Sequence, residues 1–285
     1  MTAGLAGSDA ERRAALALRE RLEAGGRAAS IEPFRFHQRW ALAQAIAAGV
    51  ALVGSVLAVS SAAIGTALVA VAASSSIAEA TGRVMLLRRL IGTRASQNVS
   101  CPPAPTSRPR PGLLVLAASY DAPRRSAFGR IAARVRDPWL VLGAALVAVL
   151  ACCVARLLGA EGDALTAIQL VPTLLLLAAI PLLVDVELSP VGDGAAEAAG
   201  VETAIALAQR LDGELTHLDV WLVLTGAGGA LGAGTRVWRR RHRTALNARP
   251  AVTIEVGAPE LDEVAELLDG YADLARRLDA SLRPA

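Results

Sequence analysis

The chain has 285 residues, 54% hydrophobic and only 19% charged, and its mean hydropathy of +0.45 is too apolar for an ordinary soluble domain. The net charge of +3 is too small to argue for nucleic acid, and all 29 basic positions are arginine. Cys101, Cys152 and Cys153 show neither a pairing pattern nor a metal-ligand spacing, so they read as free thiols.

Residues 1–38 form an N-terminal amphipathic cytoplasmic segment. Its first residues contain acids and lack the apolar core of a secretory signal. Arg and Glu among Ala and Leu over 9–25 predict a short helix, solvated or lying at a membrane surface. Four apolar blocks follow, at Trp40–Val59, Ala62–Ala80, Trp139–Ala155 and Ala164–Val184. A bilayer span needs about 20 residues. The second block is eroded by Ser74, Ser75, Ser76 and Glu79, and the fourth carries Pro172 and Pro181 as tolerated kinks. Small residues dominate the first two, which predicts close packing. The blocks pair as transmembrane hairpins over 39–82 and 138–185.

Arginine placement sets the expected orientation. Segment 83–137 has eleven Arg against two acids, and the first 39 residues hold seven Arg. The loop 156–163 holds one Arg and two acids. The positive-inside rule then puts both termini and the polar middle segment in the cytoplasm.

The remaining polar sequence, 83–137 and 186–285, forms one α/β domain interrupted by the second hairpin. An apolar run at Leu113–Ala118 is a buried strand ending in Asp121. A helix over 195–211 precedes a strand at 217–225, the glycine-rich turn GAGGALGAG and a basic helix from Thr235. A strand at Ala251–Val256 and a helix over 261–282 with apolar residues at helical spacing complete the series. Strands alternating with helices argue for an α/β sheet. The turn does not fit Gly-x-Gly-x-x-Gly, because Leu231 stands where a glycine is needed. Ser119 with His217 or His242 lacks the nucleophile-elbow pattern.

Four stretches in order carry a family resemblance: RLIGTRASQNV, LLVLAASYDAPRRS, LSPVGDGAAEAAGVETAIALAQRL, and DVWLVLTGAGGALGAGTRVWRRRHR, followed by AVTIEVG. Over residues 85–258 the chain resembles the di-zinc aminopeptidases of metallopeptidase family 28, in particular their bacterial membrane-bound members. The resemblance implies an aminopeptidase-like mixed sheet with flanking helices. It also implies a bacterial inner-membrane location, with the soluble domain in the cytoplasm. The family's first zinc-binding histidine falls on Ser119, and its orienting acid is kept as Asp121. The bridging aspartate falls near Ala196 or on Asp193. The Glu-Glu pair, general base and metal ligand, falls on Gly228 and Gly229. The next acidic ligand falls on Glu255, and the family's last ligand has no counterpart because no histidine follows His242.

A catalytic zinc needs about three protein ligands and an open position. A water attacking a carbonyl needs a positioned base. On the resemblance, no catalytic residue is expected. The metal site is degenerate, with Asp121, Asp193 and Glu255 as the remaining candidates and no cofactor expected. The implied function is a membrane-anchored binding or scaffolding module. Its partners are the lipid bilayer and a protein partner or second copy, with no nucleic acid. Two alternatives stay open. One is an active metal-dependent peptidase with carboxylate ligands, using zinc or a harder metal. The other is a small-solute binding or transport component, although the spans carry no ionisable residue near their centres.

Overall fold

A computed structural model of the protein describes residues 4–80, 92–103, 110–132, 134, 138–257 and 264–281. The chain divides into two units, Met1–Gln38 with Arg94–Pro123 and Val191–Ala285, and Arg39–Thr93 with Arg124–Pro190.

The first unit is a mixed five-stranded sheet with helices on both faces. Its strands are β1 (Ser30–Phe36), β2 (Arg94–Cys101), β3 (Gly112–Ser119), β4 (Leu218–Thr225) and β5 (Ala251–Glu255), in the spatial order β1-β2-β4-β3-β5. β1 pairs antiparallel with β2, and β2 antiparallel with β4; β3 runs parallel to both β4 and β5. The central strands β3 and β4 are largely apolar and buried almost throughout, as expected of strands covered on both faces.

Alternation along the strands sorts the core. One face presents Leu114, Leu116, Leu222 and Leu224 to α1 (Asp9–Ala24), to the helix Ala195–Leu211 and to the last helix, Val264–Ser281. The other presents Leu113, Val115, Trp221 and Val223 to Trp238, on the basic helix Ala233–Arg241. Trp221 and Trp238 meet edge-to-face at 5.0 Å, and both indole N–H groups donate to the Ser100 hydroxyl, at 2.9 and 3.2 Å. Asp279 of the last helix accepts the backbone N–H groups of Thr216, His217 and Leu218, which fixes the entry to β4.

The N-terminal segment departs from its sequence reading as a solvated or surface helix. Ala15 and Leu18 on α1 are fully buried in the sheet core, and the chain then adds β1 at the sheet edge. The arginines and glutamates satisfy the helix's outer face, while its Ala/Leu stripe is long enough to bury.

The second unit contains four long helices: α2 (Trp40–Leu57), α3 (Ala62–Ala80), α5 (Pro138–Leu157) and α6 (Asp163–Leu188). All four are long and apolar enough to cross a membrane. Their outward faces are apolar, with Leu140, Ile168 and Val171 each more than 60% exposed. The first pair packs backbone to backbone: a Cβ on Gly65 would overlap the backbone of Ala58. Several buried polar side chains satisfy one another. Ser76 donates to Gln44 at 2.6 Å; Gln169 donates to the Ser55 hydroxyl and carbonyl, each at 2.8 Å.

Bonds inside the unit bring one set of helix ends together. Trp40 and Trp139, at the starts of α2 and α5, stack edge-to-face at 5.1 Å, and Leu42 N–H donates to Glu187 near the end of α6. The ends of α2, α3, α5 and α6 that lead to the α/β sequence therefore share one end of the bundle, and both hairpin turns lie at the other. Residues 124–132, read from sequence as part of the α/β domain, pack with this unit instead. The short helix α4 (Ala127–Ala132) sets Phe128 against Trp40 and Trp139, and Asp185 accepts the Ala127 N–H at 2.6 Å. Its apolar side finds more aromatic surface on the bundle than a helix this short offers by itself.

Candidate functional site

The three parallel strands end at the same rim of the first unit. After β3 the chain passes through the second unit and returns as α7 (Ala195–Leu211) on one face, and the connection after β4 leads to α8 (Ala233–Arg241) on the other. Diverging connections open a crevice at the carboxyl ends of the strands, the place where open α/β sheets hold ligands. Here it measures about 460 Å³, and its lining includes Ser119, Asp121, Glu197, Gly228, Thr235 and Glu255. No Arg or His lines it among the described residues.

The floor is the glycine-rich turn 226–234, and its amides are already engaged. The Gly226 N–H donates to Asn98 Oδ1 at 3.2 Å, and Asn98 Nδ2 donates to the Gly234 carbonyl at 3.0 Å, so one side chain ties both ends of the turn. Gly228 N–H and Gly229 N–H donate to the two oxygens of Asp121 at 2.6 and 3.2 Å. Ser119 Oγ donates to Asp121 Oδ1 at 3.0 Å. Successive amides of this kind make an anion-binding concavity. In this protein the anion is its own carboxylate, so the turn has no free amide cradle for a phosphate.

Sterics explain the glycines. A Cβ at Gly228 would overlap the Ser119 hydroxyl and lie 2.8 Å from Ser119 Cβ. Ser119 therefore fills the space that a side chain at 228 needs. Ala227 and Leu231 adopt φ of 52° and 59°, a left-handed conformation costing about 1–3 kcal/mol each for non-glycine residues. The hydrogen bonds to Asn98 and Asp121 hold the turn in that conformation.

Three buried or half-buried carboxyls are shifted in the same direction. Burial pushes Asp121 up, against the opposing effect of Gly228, Gly229 and Ser119. Burial also raises Glu197, and the charges of Asp121 and Asp193 add to it. Glu11 is raised to about 7, chiefly by burial, although Ser96 and Gly7 donate to it at 2.6 and 2.5 Å.

The candidate ligands from sequence are only partly brought together. Asp121 lies at the base of the crevice and Glu255 on its exposed rim, 3.9 Å from Arg239. Asp193 does not line it; it is exposed ahead of α7 and accepts the Ala195 N–H at 3.3 Å. Among the described residues, no three His, Cys, Asp or Glu side chains form a group that would hold a metal ion. Neither His217 nor His242 approaches Ser119. His217 precedes β4 at the opposite rim, and His242 stacks on Trp221 and bonds Glu32 at 2.8 Å.

Two acidic residues escaped the sequence reading. Glu197 sits in the first turn of α7 and lines the crevice. Glu11 was detectable in Ser8-Asp9-Ala10-Glu11, a helix-capping pattern. Ser8 Oγ accepts the Glu11 N–H, and Glu11 reaches back to the Gly7 N–H. Its second role, accepting from Ser96, depends on tertiary structure. Comparison with protein-family models, curated proteins and solved structures found no match to this chain.

Proposed function

We propose that this chain is a bilayer-anchored, aminopeptidase-like module that no longer hydrolyses peptides and acts by binding. The carrying observation is the engagement of Asp121: its carboxylate accepts from Gly228, Gly229 and Ser119, and Ser119 occupies the volume of a side chain at 228. A carboxylate that already accepts three hydrogen bonds has little lone-pair capacity left for a metal ion. The family reading is supported by position. The stretches 112–121, 226–234 and 251–257, which carry the resemblance, meet at one crevice. The orientation that fits the arginine distribution places the α/β unit in the cytoplasm of a bacterial cell, at the inner membrane. A protein partner or second copy would dock at this unit.

One observation favours a second reading, a metal-dependent hydrolase with carboxylate ligands. Asp121, Glu197 and Glu255 line one crevice, although among the described residues they do not form a group that would hold a metal ion as the side chains stand. A single experiment decides between them. The full chain is purified, its metal content measured, and amino-acid amides offered as substrates with and without chelator. The binding-module reading expects substoichiometric metal and no turnover. One tightly held dication per chain with chelator-sensitive cleavage would overturn it.

A further inference from the structure

On the membrane unit, α4, α5 and α6 leave an open groove of about 250 Å³. Phe128 and Ile131 of α4 close one end; Val141 and Ala145 of α5 and Ala178 and Leu182 of α6 line the walls. The α6 wall runs from Leu175 to Leu183, about 12 Å at 1.5 Å per residue. A spanning partner helix would need about 30 Å of continuous seam. The groove is too short for that and is capped by α4.

Its capped end is basic. Arg130 on α4 and Arg134 just beyond it are exposed, and Arg124 and Arg125 precede them. No acid occurs between Ala122 and Arg136. At the adjoining helix end Asp185 accepts from the Ala127 N–H and the Ser189 hydroxyl and Glu187 from the Leu42 N–H, each keeping its charge, so the four arginines outnumber these two acids; Asp137 lies outside the described residues. The Trp40–Phe128–Trp139 cluster lies at the same end, where aromatic residues mark the membrane–water interface. An apolar slot beneath a basic, aromatic-flanked cap complements one amphiphile in particular.

We propose that this groove holds an acyl chain of an anionic phospholipid, with its headgroup phosphate paired to Arg130 and Arg134. The inference rests on the reading that the four helices span a bilayer. A neutral lipid would satisfy the slot but leave the guanidinium groups without a counter-charge. Each basic side chain near an anionic lipid surface contributes roughly fivefold in affinity.

The test is native mass spectrometry of the full chain in mild detergent, titrated with phosphatidylglycerol or with phosphatidylcholine of the same acyl chains. One phosphatidylglycerol is expected to be retained in preference. The double variant Arg130→Ala/Arg134→Ala should lower its retention about 25-fold, close to the phosphatidylcholine level. Arg130→Lys/Arg134→Lys should keep most of it. Ala178→Phe fills the slot and should lower retention of both lipids, with thermal unfolding in lipid-free detergent reporting whether each variant is folded. Equal retention of the two lipids, or a phosphatidylglycerol preference indifferent to the arginines, overturns the proposal while leaving the spans intact. Retention of neither lipid overturns the proposal too; the spanning reading fails separately, if alkaline washing releases the chain from membranes.

Discussion

At position 228 a single hydrogen atom is all that fits beside Ser119, because the hydroxyl that donates to Asp121 stands where a Cβ would be. Gly228→Ala must push Ser119 aside and loosen the clasp on Asp121, an overpacking cost of about 1–3 kcal/mol. Denaturant unfolding followed by the Trp221–Trp238 pair measures it, and adding Ser119→Gly should recover much of the loss. Glu11 makes a second residue-level prediction. Its carboxyl titrates near 7 when folded against an ordinary 4.5, so the folded state binds the proton more tightly than the unfolded state. The sign follows: this contribution is present in full below pH 4.5 and is lost as pH rises towards 7. The α/β unit should therefore lose up to roughly 3 kcal/mol across that window. Glu11→Gln should flatten the profile; an unchanged slope in the variant would refute the assignment. Asp121, shifted in the same direction by burial, contributes a slope of the same sign.

Secondary-structure elements differed in how plainly the sequence announced them. The apolar run 113–118 and the strand 218–225 are nearly continuous hydrophobic segments, and both are central strands. β1 was missed for a physical reason: Pro33 lies in its middle and demotes such a run. The structure places it at the sheet edge, the position that tolerates proline, with Phe34 and Phe36 buried. The α2–α3 hairpin was legible because small residues repeat on both helices. Its close approach at Gly65 gives a sharp prediction. Gly65→Leu cannot fit against Ala58 without separating the helices, so detergent-solubilised protein should unfold at a lower temperature, whereas Gly49→Leu, with open space at its Cβ, should not. Equal effects at the two positions would argue against the packed hairpin.

For the whole molecule, the distribution of arginine makes the orientation testable. The hairpin turn at Ser60–Ser61 is expected outside the cytoplasm, and α1 inside it. A membrane-impermeant maleimide should label Ser60→Cys in intact cells and leave Glu20→Cys unlabelled until the cells are opened. The native cysteines are buried and give a low background. The reverse pattern would invert the topology without disturbing the fold.

By itself, the sequence determined the long apolar helices and the alternation of strands and helices. Those are properties of residue type and local period, which need no distant partner. Tertiary structure alone decided that α1 belongs to the sheet core and α4 to the bundle. It also put Glu197 rather than Asp193 in the crevice, and it engaged the amides of the glycine-rich turn with Asp121 and Asn98. Each of these joins groups far apart in the chain, and which carboxylate reaches which amide follows from how strands and helices pack, not from their spacing in sequence.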